Sequence, residues 1–161
     1  MTDAAPVSDA TANDPTSREA HAMAVVRSYM GWSAGAGLLP MPGLDMAAIV
    51  AVQVKMLQSM ATLYGVPFRS NMVKPAIVAL VSGGSSVMLA ISAASLAKAV
   101  PLIGSIAGML AVPAMAAASC YATGKVFIQH FESGGTLLDF DPAKVRAYYA
   151  EQFNAAKGSQ G

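Results

Sequence analysis

The feature that most constrains this chain is an apolar stretch, residues 75–124, that carries a single charge near its middle, Lys98. Lys98 divides the stretch into two uncharged segments, 75–97 and 99–124. Each is long enough to cross a bilayer, because roughly 20 apolar residues in a helix span about 30 Å of hydrocarbon. The sequence therefore predicts an all-α fold in which residues 75–124 form a transmembrane helical hairpin flanked by amphipathic helices.

Composition agrees with this prediction. Of 161 residues, 55% are hydrophobic and 12% are charged, whereas soluble domains carry about 25% charged residues. We expect a disordered tail over 1–15, one helical domain over 16–157 and a frayed end over 158–161. The net charge of +1 gives no electrostatic case for binding nucleic acid.

Local signals place the flanking helices. Thr16 and Glu19 have the spacing of a capping box, so the first helix is expected to begin at Thr16 and to reach about residue 35 to 38, with Trp32 on its apolar face. The apolar periodicity over 44–64 predicts a second helix, and Gly65 is expected to end it.

The end of the chain carries similar signals. The run Ser133-Gly134-Gly135 is expected to stop the helix that follows the hairpin, and 136–140 to form an extended linker. Asp141 and Pro142 are the N-cap and first residue expected for a last helix.

Three polar residues of the second helix are predicted to make the polar contacts that fix an assembly: Asp45, Gln53 and Lys55. Gln53 stands out because it falls on the apolar face. It either makes an interhelical hydrogen bond to a backbone group or hydroxyl of the hairpin, or lines a pore or ligand pocket. A loop motif with Pro40, Pro42 and Gly43 separates this helix from the first.

The hairpin contains glycines that suit close helix packing. Pro75 is expected at the first position of the first leg, and Pro113 is expected to kink the second. The predicted packing seam consists of Gly83, Gly84, Gly104 and Gly108.

Flanking charges predict the orientation of the hairpin. Arg69 and Lys74 precede it and Lys125 follows it, whereas its tip carries only Lys98. The positive-inside rule then places both termini in the cytoplasm. Aromatic residues expected at the membrane interface are Tyr64, Phe68 and Tyr121.

No catalytic constellation is visible, so the chain is predicted not to be an enzyme and to need no cofactor or metal. The soft metal ligands His21, Cys120 and His130 lie on separate elements. A cation site built from His130 with nearby acidic residues is a weaker interpretation than solvated loop residues and helix caps. Cys120 is expected to be a small packing residue.

Two blocks of sequence carry a family resemblance. The first is GAGLLPMPGLD at 35–45, which continues into AVQVKM at 51–56 and LYG at 63–65. The second is YATGKVFIQHFESGGTLLDF at 121–140. These blocks resemble the "GLIPIPG-D…LQ-KM…YG" and "YALGK-FI-HFE-GGT-LDF" patterns of the YcjF-like, GTPase-associated family, domain of unknown function 697.

The resemblance implies a bacterial inner-membrane protein of unassigned function, in a family whose members are sometimes fused to, or encoded beside, Era- or dynamin-like GTPases. Since this chain has no GTPase domain, any such coupling would act in trans. The leading hypothesis is a membrane anchor, adaptor or self-assembling scaffold whose partners are the lipid bilayer, a second copy of itself and a GTPase. The alternatives are a re-entrant or peripheral hairpin, a soluble helical homo-oligomer that buries the hairpin between subunits, and a channel or lipid-binding protein whose residues 82–86 line a cavity.

Overall fold

The computed structural model describes residues 14–36, 44–83 and 104–159, with side chains described over 14–36, 47–82 and 111–159. Within these residues the structure is all-helical, which confirms the predicted class. The helices are α1 (Pro15–Ala36), α2 (Leu44–Tyr64), α3 (Ser70–Gly83), α4 (Gly104–Glu132) and α5 (Pro142–Gly158).

Contacts along α4 define the two ends of the bundle. Arg18 of α1 lies 3.7 Å from Glu132, whereas Ser33, farther along α1, bonds to the carbonyl oxygen of Ala116. α1 and α4 are therefore antiparallel. We call the end marked by Ser33 and Ala116 the hairpin end, because α4 continues from there toward Gly104, and the end marked by Arg18 and Glu132 the distal end.

The core lies where α1, α2, α3 and α5 surround the C-terminal half of α4. Tyr149 and Phe153 of α5 and Phe127 of α4 are among the largest fully buried side chains. Burying a side chain of this size contributes about 1.5–3 kcal/mol. The other large buried apolar side chains are Val26, Met56, Leu57, Met60, Val73, Ile77, Leu80 and Val112.

Glycines end two of the helices in the way their sequence context predicts. Gly65 follows α2 with φ +67°, and the next amide donates back to the carbonyl of Ala61 at 2.8 Å. Gly134 follows α4 with φ +82°, and the amide of Gly135 donates to the carbonyl of His130 at 2.9 Å. Both are Schellman-type ends, in which a residue in the left-handed region satisfies the last carbonyls of the helix.

Two helix starts differ from the sequence prediction. α1 begins at Pro15, and Asp14 is its cap, since its carboxylate accepts from the amide of Thr16 at 3.3 Å. α3 begins at Ser70, so Pro75 lies inside it and not at its first position. The amide that Pro75 lacks would have bonded to the carbonyl of Asn71, and both residues are exposed. Water can therefore satisfy that carbonyl, which keeps the cost of an internal proline low.

The linker after α4 also differs from the sequence prediction of an extended segment over 136–140. It bends, because both the amide and the hydroxyl of Thr136 donate to the carboxylate of Asp139 at 2.6 Å. The predicted cap of the last helix is confirmed: Asp141 accepts from the amide of Ala143 at 3.0 Å, and Pro142 is the first helical residue.

The bundle buries part of the predicted second leg of the hairpin. Residues 116–120 and 122–124 are all buried by the neighbouring helices. Toward the hairpin end Pro113, Ala114 and Met115 are half-exposed, whereas Val112 is buried.

Several predicted features lie outside the described residues: the tail 1–13, the loop motif with Pro40, Pro42 and Gly43, the hairpin turn at Lys98, and Gly84 of the packing seam. Asp45, Gly104 and Gly108 lie within helices, but no side-chain surroundings are described there.

Candidate functional site

A buried polar cluster joins α2, α4 and α5. Gln53 donates from Nε2 to the hydroxyl of Ser119 at 3.1 Å, and its Oε1 accepts from the hydroxyl of Thr123 at 2.9 Å. The hydroxyls of Ser119 and Tyr149 lie 2.9 Å apart. All four side chains are fully buried. Gln53 thus makes interhelical hydrogen bonds to hydroxyls of the hairpin segment, the first of its two sequence interpretations.

The cluster holds three helices together through hydrogen bonds made within the protein. Each of its polar groups has a partner, and a buried polar group costs about 1–3 kcal/mol only when it is left unpaired. Burial raises the pKa of Tyr149 well above its ordinary value, and the hydrogen bond from Ser119 only partly offsets this effect. The phenol is therefore neutral at physiological pH, and the cluster sets the register of three helices.

A second cluster closes the distal end. The hydroxyl of Tyr64 donates to the carboxylate of Glu132 at 2.7 Å, and the guanidinium of Arg18 lies 5.4 Å from the centre of the Tyr64 ring. Burial, followed by the hydrogen bond to Glu132, raises the pKa of Tyr64. These contacts place Tyr64 at the distal end of the bundle, and its predicted place at a membrane interface stays a prediction.

His130 and its acidic neighbours, the residues of the cation-site interpretation, hold the turn that follows α4. His130 donates from Nε2 to the carbonyl of Thr136 at 2.8 Å, and the same nitrogen lies 3.8 Å from the carboxylate of Asp139. Hydrogen bonds from Thr136 hold the pKa of Asp139 below its ordinary value. Across the part of the chain that the structure describes, no group of three or more His, Cys, Asp or Glu side chains could hold a metal.

An open groove lies between α1 and α2. Its volume is about 490 Å³, and it is lined by Ser28, Tyr29, Trp32, Ala51, Val52 and Lys55. Trp32 is 70% exposed, although the sequence pattern placed it on the apolar face of α1. The pattern missed this because residues 26 and 33 face α4, which turns residue 32 outward.

Lys55 is exposed on the rim of this groove. Its predicted role in an assembly stays a prediction, as do those of Asp45 and the seam glycines. Cys120 is buried, with its thiol 3.5 Å from the sulfur of Met56.

Sequence reasoning missed one glycine with a direct packing role. A Cβ at Gly124 of α4 would lie 2.4 Å from Cγ2 of Val26, so α1 and α4 cross where Gly124 presents bare backbone. The small residues around Gly124 were a signal that could have identified this crossing, although not the helix that makes it.

Among the described residues, two helical segments are long and apolar enough to cross a membrane, Ala47–Tyr64 and Ala111–Glu132. Within the most apolar 18-residue window of each segment, 39% of the residues are buried in the first and 67% in the second. A core helix of a soluble protein meets the same criterion, so neither segment is decisive. The second overlaps the predicted second leg, whereas the first belongs to a helix predicted to be amphipathic.

The described residues form an all-helical bundle held together by the buried Gln53 cluster, and the sequence adds an apolar hairpin segment. Comparison with known proteins identifies the family: the chain matches the domain of unknown function DUF697 over residues 7–158 and belongs to that family. This confirms the resemblance of the 35–45 and 121–140 blocks. The chain is also 35% identical over 146 residues to Magnetosome membrane protein 22 of Magnetospirillum gryphiswaldense, covering 89% of this chain and 74% of that protein. No solved structure matches this chain.

Proposed function

We propose that this chain is a non-enzymatic protein of the bacterial inner membrane, with the hairpin 75–124 as its anchor and the helical bundle as a cytoplasmic adaptor or self-assembling scaffold. The observation that carries the proposal is the continuity of α4, a single helix of 29 residues. At about 1.5 Å per residue it is about 44 Å long. One half is clamped in the bundle by the Gln53 cluster, and the other continues into the uncharged segment of the hairpin.

This arrangement suits an anchor, because one helix shared by bundle and hairpin links the orientation of the bundle to that of the hairpin. The name of the relative in Magnetospirillum, a membrane protein, supports the same assignment. The positive charges that flank the hairpin favour cytoplasmic termini.

Co-flotation with liposomes tests the anchor. The full chain, reconstituted in vesicles and washed with urea, is expected to float with lipid. A variant with Ile91→Arg and Ile106→Arg should not, since each arginine costs roughly 2.5–3.5 kcal/mol at the centre of a spanning helix. Leu138→Arg is the matched control, because Leu138 is exposed at the distal end. Recovery of the unmodified chain in the soluble fraction, after gentle lysis without detergent, would contradict the anchor.

A soluble homo-oligomer is the second candidate. The burial of 67% of the most apolar 18-residue window within Ala111–Glu132 favours it, because the bundle already covers part of one predicted leg with its own helices. This candidate predicts a single defined oligomer in aqueous buffer, which light scattering after size exclusion would detect.

The adaptor role also includes a partner, which we propose is a second copy or a GTPase acting in trans. Exposed polar side chains of α2 and α5 are available for docking: Lys55, Gln58, Thr62, Lys144, Arg146 and Glu151. A GTPase as partner would be supported if one is encoded in the adjacent open reading frame and binds to the purified full chain in nanodiscs. Self-association without it would favour the second copy.

A further inference from the structure

The groove between α1 and α2 has a defined position along the axis of α4. Ser33, the neighbour of Trp32 on α1, donates its hydroxyl to the carbonyl of Ala116 at 3.0 Å. Trp32 is therefore close to the level of Ala116, at the hairpin end of the bundle.

The length of chain between the hairpin turn and Ala116 can be compared with the thickness of a bilayer. Ala116 follows Lys98, the single charge of the stretch, by 18 residues, which would span about 27 Å if all of them formed one helix at about 1.5 Å per residue. The hydrocarbon core of a bilayer is about 30 Å thick. If Lys98 reaches the far headgroups, the near boundary of the hydrocarbon falls close to Ala116, and hence close to Trp32.

The side chains at this level match that boundary. Trp32 is 70% exposed, a large apolar ring with one N–H donor. Tryptophan of this kind is enriched at headgroup depth, where the ring leaves water while the N–H keeps a polar partner. Lys55 lines the same groove and is exposed, so its ammonium can reach a lipid phosphate while its methylene stem lies along the apolar wall.

We propose that Trp32 and Lys55 form an interfacial anchor that seats the hairpin end of the bundle in the headgroup layer of the cytoplasmic leaflet. This rests on the proposed function, since it requires the hairpin to span the membrane. The occupant of the groove is phospholipid, with the headgroup at Lys55 and the first carbons of the acyl chain beside Trp32. The distal end, with Leu138 at its surface, stays in water.

The chain contains a single tryptophan, so intrinsic fluorescence reports on Trp32 without any label. The full-length protein is reconstituted in vesicles of phosphatidylethanolamine and phosphatidylglycerol, with brominated lipids as membrane quenchers and iodide as the aqueous quencher. Emission is expected to shift to the blue on reconstitution, to lose most of its intensity with shallow brominated lipid, and to become protected from iodide.

The matched control moves the tryptophan to the other end of the bundle. The double variant Trp32→Phe with Leu138→Trp exchanges two side chains of nearly equal exposure, 70% and 73%. Its emission should stay sensitive to iodide and unaffected by brominated lipid. Equal quenching by lipid at both positions would overturn the proposal, because the bundle would then have no preferred end.

Other outcomes separate this inference from the proposed function. Co-flotation of the same samples reports on the hairpin alone. A protein that floats while Trp32 stays open to iodide overturns the interfacial anchor and leaves the membrane hairpin intact. Protection from iodide without quenching by lipid overturns it in favour of a second copy over the groove. A protein that does not float overturns both.

Discussion

Val26 of α1 packs directly on the backbone of Gly124 of α4, so closely that a Cβ at Gly124 would lie 2.4 Å from one methyl carbon of Val26 and 2.8 Å from the other. Val26 is fully buried and cannot swing away. Gly124→Ala should therefore destabilise the protein by about 1–3 kcal/mol, because it overpacks the crossing of the two helices. Denaturant unfolding in detergent would measure this.

Two variants control for the intrinsic effect of alanine in a helix. Gly31→Ala, at a position with nothing within 4 Å of the added carbon, should stabilise by about 0.5–1 kcal/mol. Adding Val26→Ala to Gly124→Ala should recover part of the loss, because it removes the clashing methyl groups. Equal effects of alanine at positions 31 and 124 would contradict the close crossing.

The bond between Gln53 and Thr123 should behave as a coupled pair. Gln53→Leu leaves the buried hydroxyl of Thr123 without the acceptor 2.9 Å away, at an expected cost of about 1–3 kcal/mol. Adding Thr123→Val should cost less than the sum of the two single variants. A double-mutant cycle by thermal or denaturant unfolding checks this, and strict additivity would show that the two side chains do not interact.

Alkaline pH should destabilise the fold. Burial raises the pKa of Tyr149 above its ordinary value of 10.0, and burial together with Glu132 does the same for Tyr64. Above pH 10.0 the unfolded phenols lose protons that the folded ones keep, so the unfolding free energy falls as pH rises. In Tyr149→Phe the decline should be shallower. Unfolding measured from about pH 8 to 11 would follow this, and an unchanged slope in the variant would contradict it.

The seam glycines lead to a prediction about assembly. Gly104→Leu or Gly108→Leu should disrupt helix packing or oligomerisation, because small residues three or four apart permit close helix approach in a membrane. Oligomer size and thermal stability in detergent are the readouts. If neither changes, the seam lies elsewhere.

Local signals predicted the parts of the fold that depend on local chemistry. The bounds of α2, its glycine end at Gly65 and the cap at Asp141 follow from side chains within one turn of the boundary. The start of α3 could not be predicted, because the free-energy cost of Pro75 inside a helix depends on whether water can reach the carbonyl that it leaves without a partner. The outward direction of Trp32 and the partner of Gly124 depend on how helices cross, which no single segment encodes.

The candidate site follows the same division. The apolar periodicity singled out Gln53 as a polar residue that needs a partner, and hydroxyls of α4 supply it. The role of Tyr149 could not be predicted in this way, because its hydroxyl meets Ser119 only through the packing of α5 on α4. Pairings between residues distant in sequence were thus the missing information.

Labelling at the hairpin turn tests the central claim most directly. In a Cys120→Ala background, which removes the single native cysteine, Lys98→Cys should react with a membrane-impermeant maleimide added to spheroplasts. Lys144→Cys, at a position 82% exposed on α5, should react only after lysis. Protection of position 98 in spheroplasts, with labelling after lysis, would contradict a hairpin that crosses the membrane.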